Sequence, residues 1–178
     1  MIKRIYLLLM LFGGCLFSMR AAVKEEIYVN HIADTVEIGN EFLARKFLVK
    51  NDKVRTCMIE NKRMGKEVSR IIPETISEDF IIRTLSADSH SSDLFLQRVQ
   101  VTDEGKNGKK LVFHYKGFRH QEVDWQVDMV LTLEEGKHYM RKYLEITVPD
   151  SQRHLARLDY IDLEPMSLPE GYTVWTHP

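Results

Sequence analysis

The sequence predicts an all-β fold, a large antiparallel β-sandwich. Three observations predict it. Short stretches rich in Val, Ile, Leu, Phe and Tyr recur with polar or Gly-containing turns between them, at the spacing of a sandwich. "WQVDMVLTL" (125–133) alternates cleanly, with Trp125, Val127, Met129, Leu131 and Leu133 on one face and Gln126, Asp128 and Thr132 on most of the other. Beyond residue 20 no helical period runs longer than two turns.

The elements follow in order. "EFLARKFLVK" (41–50) and "VRTCMIE" (54–60) flank the polar turn "NDK" and predict a hairpin. "NKRMGKE" (61–67) is a second turn, "DFIIRTL" (79–85) a buried strand, and "SADSHSSD" (86–93) a Ser/Asp-rich loop. "LFLQRVQVT" (94–102) and "KLVFHYKGF" (110–118) form a second hairpin, whose turn is expected at Asn107–Gly108. The turn "EEGK" (134–137) joins residues 125–133 to "HYMRKYLEIT" (138–147), making one hairpin that Pro149 ends. In that last strand His138, Met140, Lys142, Leu144 and Ile146 share a face, apolar from Met140 onward except at Lys142. Tyr139, Arg141 and Tyr143 share the other. "HLARLDYIDLEP" (154–165) gives one more strand with poor alternation.

The chain has 178 residues, 44% hydrophobic and 29% charged, which is enough for one globular domain with a real core. Net charge is −1, and basic and acidic residues are interspersed, so no basic stripe offers itself to nucleic acid. "MIKR", the apolar run 5–17 and "SMRAA" read as a secretory signal over residues 1–20, leaving a β-sandwich domain over 21–178. The run is shorter than the ~20 residues of a spanning helix, so no membrane span is expected once the signal is removed. Ser18 and Ala21 both fit a cleavage site. Cys15 after "FGG" is a lipoprotein-like feature, with Phe12 where such sites carry Leu. Removal of residues 1–20 takes away Lys3, Arg4 and Arg20 and lowers the charge by three to −4. The expected location is exported: periplasmic, cell-surface or secreted. Cys57 is then alone and reads as a small buried hydrophobe.

The chemistry of the sequence is sparse. Seven histidines occur without an H-x-x-x-H pair, and no G-x-S-x-G, G-x-G-x-x-G or P-loop is present. No metal or cofactor is expected, and no catalytic residue. Asp159, Asp162 and Glu164 read as a solvated face rather than a calcium loop. Trp125 reads as core. Trp175 and His177 lie in a terminal loop and are the carbohydrate-binding candidates, since flat rings stack on sugars.

The order "VEIGNEFLARKFLVKNDKVRTCMIENKRMGKEV", "SEDFIIRT", "SSDL" and "EEGKHYMRKYLEITVP" resembles the N-terminal β-supersandwich of exported bacterial α-galactosidase (melibiase)-type glycoside hydrolases, over residues 36–178. The resemblance implies a galactose mutarotase-like fold followed by a (β/α)₈ barrel whose strand ends carry the catalytic Asp residues. It implies a non-catalytic role for this domain, on a protein acting on glycans or galactosides, with Tyr139, Arg141 and Tyr143 on a face that packs against the barrel. The aromatic loop ending at Pro178 fits that expectation of a chain continuing into a barrel. A self-standing carbohydrate-binding or cell-surface module is the alternative. A mutarotase-like enzyme ranks third, because no spacing brings a His and a Glu together.

Overall fold

The computed structural model describes residues 27–62, 70–71 (backbone only), 78–84 and 87–165. The stretch read as a signal (1–20), most of the 61–67 turn, Trp175 and His177 lie outside the described residues. The described chain is an all-β, antiparallel sandwich of thirteen strands in three sheets. No α-helix occurs among the described residues; one 3-10 turn, Asp150–Gln152, follows Pro149.

The first sheet is a meander: β1 (Tyr28–Ile32), β2 (Thr35–Gly39), β3 (Leu43–Lys50), β4 (Lys53–Asn61) and β5 (Arg70–Ile71). The β3–β4 hairpin is the expected one. Lys50 pairs Lys53, and Asn51 and Asp52 take φ of 53° and 57°, the left-handed pair of a type I′ turn. Asn and Asp tolerate this region because their short side chains hydrogen-bond locally. Strands β1 and β2 were not anticipated, because "YVNHIADTVEIG" has short polar alternations and no Gly at its turn; Ala33 holds φ 49° there instead.

The second sheet contains β8 (Leu96–Glu104), β9 (Gly108–Tyr115), β10 (Phe118–His120), β11 (Val123–Glu134) and β12 (Arg141–Thr147). β11 is central, pairing β9 on one side and β12 on the other. The β8–β9 turn differs from the expected Asn107–Gly108 pair. Glu104 pairs Gly108, so the loop is Gly105–Asn107, and Gly105 takes the left-handed φ of 59°. Gly108 is already in the strand; a Cβ there would lie 2.5 Å from the Glu104 carbonyl. The β11–β12 connection is longer than expected, because β12 starts at Arg141 rather than at residue 138. Residues 135–140 leave the sheet and bend toward the first sheet, where the Asn40 side-chain amide donates to the Lys137 carbonyl at 2.9 Å.

The third sheet is small: β13 (Tyr160–Leu163), β6 (Phe80–Arg83) and β7 (Asp88–His90), in that order. β7 replaces part of the expected 86–93 loop, held by its ladder to β6. β13 is shorter than the 154–165 reading, since residues 154–159 lack the alternation that a strand face requires.

The core lies between the first two sheets and is closed at one side by the third. Val36, Ile38 and Phe47 face Leu111, Phe113 and Met129, with Phe80 and Ile82 completing it. Phe47 and Phe113 rings meet at 4.7 Å across the sandwich, and Phe80 stands edge-on to Tyr115 at 5.5 Å. Trp125 is buried, as expected of a core residue. Two changes at neighbouring positions of β9 separate packing from polarity. Phe113→Ala is expected to cost about 3–5 kcal/mol, because it deletes a fully buried ring. The Tyr115 hydroxyl is buried without a hydrogen-bond partner among the described residues, so Tyr115→Phe is expected to lie within about 1 kcal/mol of wild type or above it. Urea denaturation of both variants checks this.

Candidate functional site

The strand alternation that builds the core also places charges in it. On β3, Leu43, Arg45 and Phe47 share the inward face, with Arg45 opposite Ile59 and Phe47 opposite Thr56 on β4. On β12, Lys142, Leu144 and Ile146 face inward, and Met140 just before the strand packs against the same core. Arg45 and Lys142 therefore approach each other from opposite sheets, each with less than a tenth of its side chain exposed. Asp79, just before β6, lies between them.

The Asp79 carboxylate is fully engaged. It accepts from the Thr56 backbone N–H at 2.8 Å, the Thr56 hydroxyl at 2.6 Å, Arg45 Nη2 at 2.9 Å and Lys142 Nζ at 3.0 Å. Lys142 Nζ also donates to the Asp79 carbonyl at 2.6 Å. Glu164, just past β13 with φ 62°, supplies the second anion. Its carboxylate accepts from Arg45 Nη1 at 2.7 Å and Nη2 at 2.9 Å, and lies 2.5 Å from Lys142 Nζ. Two cations and two carboxylates balance. Asp79 is almost wholly buried, whereas 26% of the Glu164 side chain is exposed, so the cluster has an inner and an outer anion.

Burial works to raise the Asp79 pKa, but the Lys142 and Arg45 charges and the Thr56 hydrogen bond outweigh it and hold the carboxyl below its ordinary value. Burial pulls the Lys142 pKa below its ordinary value, against the opposing pull of Asp79. The cluster is a tie between three sheets, and two of its members, Arg45 and Lys142, line a cleft.

That cleft, about 530 Å³, opens between the ends of β3 and β4 and the 138–142 segment. Phe42, His138 and Tyr139 supply rings; Arg45, Lys142 and Asn61 supply polar groups. Phe42 and His138 meet edge-to-face at 4.0 Å, which fixes one wall. Tyr139 is 49% exposed at the cleft, and the Arg141 guanidinium lies 5.7 Å from its ring. Among the described lining residues there is one carboxylate, Glu60, whereas glycosidic cleavage ordinarily uses two.

The three residues expected on one sheet face divide. Tyr139 precedes β12 and lines the cleft. Arg141 and Tyr143 lie on the outer face of the second sheet, opposite Thr132 and Val130, and Arg141 reaches Glu134 at 3.5 Å. The acidic residues read as a solvated face also divide. Asp162 pairs with Arg83 at 2.7 Å, and Glu164 turns into the cluster, a correction forced by the two buried cations that need it. Arg45, Thr56, Asp79, Phe42 and His138 were not singled out from the sequence. The signal for Arg45 was the one visible at Lys142, a charge at an inward position of an otherwise apolar strand face; the other four carry no such signal.

No family model matches the chain, and no curated protein or solved structure matches it either.

Removing Asp79's charge tests the cluster. Its folded pKa is depressed, so its contribution is present above the unfolded value of 3.8 and is lost as pH falls through the folded value. Asp79→Asn is expected to cost about 3–5 kcal/mol at neutral pH, by leaving buried cations under-compensated. The gap to wild type should narrow as pH drops below 3.8, measured by denaturant unfolding across a pH series.

Proposed function

We propose that this chain is a carbohydrate-binding β-sandwich domain, acting as the non-catalytic front domain of an exported α-galactosidase-like glycoside hydrolase. The cleft carries this reading. Its volume of about 530 Å³ suits a small ligand. Its walls mix aromatic rings with fixed N–H donors, which is the chemistry that grips a sugar: rings against its C–H face, polar groups on its hydroxyls. The order of sequence motifs that carries the resemblance supports the α-galactosidase assignment, and the all-β antiparallel sandwich is compatible with a mutarotase-like sandwich. In that setting Arg141 and Tyr143, on the outer sheet face, form the surface that packs against a following barrel, whereas Tyr139, expected with them, belongs to the cleft. Trp175 and His177 add carbohydrate contacts in the same reading.

A self-standing carbohydrate-binding module is the second reading. It rests on the same cleft, with its rings from Phe42, His138 and Tyr139 beside Arg45, Lys142 and Asn61.

Calorimetric titration of the protein with galactosides and a broad glycan panel tests sugar binding. At least one glycan should bind. Phe42→Ala and Tyr139→Ala should each weaken that glycan about three- to tenfold, the worth of one ring contact. Absence of binding across the panel rejects the proposal. Binding that neither substitution weakens places the sugar elsewhere.

A further inference from the structure

The two anions of the buried cluster are not equivalent. Asp79 is held by the backbone N–H and hydroxyl of Thr56 as well as by both cations, and it is almost wholly buried. It cannot leave without stranding several donors. The Glu164 carboxylate contacts only Arg45 and Lys142 among the described residues, from a partly exposed position at the end of the small sheet. Arg45 presents it a planar fork, with Nη1 to one oxygen at 2.7 Å and Nη2 to the other at 2.9 Å. That fork matches any carboxylate. The same Arg45 and Lys142 also line the cleft.

We propose that the position held by Glu164 is a carboxylate socket, and that a sugar acid entering the cleft takes it in exchange for Glu164. This rests on the carbohydrate reading of the cleft and names the class of sugar. Charge selects that class. With Asp79 fixed, the two cations need one further negative charge. A uronic acid supplies one. A neutral sugar supplies none and would leave a buried cation unbalanced, and a phosphate dianion would supply one too many. In the free protein Glu164 keeps the socket filled, so the sugar acid competes with an internal ligand, and wild-type affinity is lowered by that competition.

The test is Glu164→Gly in the full chain, since glycine removes the carboxylate and is at ease at φ 62°. Its melting temperature should fall by about 5–10 °C, the consequence of an uncompensated buried charge. Excess galacturonate should restore most of that loss. Galactose and acetate at the same concentration and ionic strength should restore little. An equal rise with galactose overturns the exchange while leaving neutral-sugar binding intact. An equal rise with acetate overturns the sugar-acid assignment, and no rise with any of the three overturns the socket. Should the glycine variant not fold, Glu164→Gln replaces it. Calorimetry should then show galacturonate bound at least about tenfold more tightly than by wild type. Equal affinity for the two proteins overturns the proposal. Wild-type binding to the neutral glycan panel separately decides the carbohydrate reading itself.

Discussion

The structure depends on one buried carboxylate. Asp79 is the point at which three sheets are fastened: Arg45 and Thr56 come from the first, Lys142 from the second, and Asp79 itself from the approach to the third. A sandwich of this size could be closed with apolar side chains alone, and the buried cluster around Phe47 and Phe113 is apolar. Where charge enters, it must be satisfied completely, because an unpaired ion in the interior costs several kcal/mol. The geometry around Asp79 meets that demand with short contacts from both cations and from Thr56. Buried ion pairs often add little net stability over a hydrophobic equivalent, but they fix which groups meet. Here the cluster fixes how the β3–β4 hairpin, β12 and the small sheet sit against one another.

The cleft follows from that arrangement. Arg45 and Lys142 hold the sheet ends at a set separation, and the 135–140 segment bridges them, anchored through Lys137 to Asn40. The rings at the cleft are therefore positioned by backbone ties and by the Phe42–His138 contact rather than by their own packing alone. This is how a fold otherwise devoted to burying aliphatic side chains presents a mixed polar and aromatic surface at one end.

Much of the fold was legible in the sequence because alternation is a local signal. The 125–133 stretch showed its buried face directly, and the "NDK" turn its hairpin. The first strand was not legible, since "YVNHI" places polar residues on both faces and is followed by a turn at Ala33; "TVEIG" alternates, with Val36 and Ile38 inward, but is only five residues long. The site was less visible still. Its members stand at 45, 56, 79, 142 and 164, and only the pairing of distant strands brings them together. Lys142 was visible as a lysine on an apolar face; its meaning needed the opposite sheet. Glu164 shows the reverse case. Acidic residues in a weakly alternating stretch are usually solvated, and here a left-handed backbone turns one of them inward.

The wide sequence spacing of the cluster also bears on how the molecule forms. Arg45 and Glu164 are 119 residues apart, and Lys142 and Asp79 are 63 apart. Such contacts cannot reward the chain until long loops have closed, so they belong to the last stage of assembly. Hairpins such as β3–β4 form from neighbours and precede them. Interactions completed after the rate-limiting step act mainly on unfolding. The ion cluster thus serves as a kinetic lock: it does little to hasten the sandwich closing, and it slows the sheets from parting once they have met.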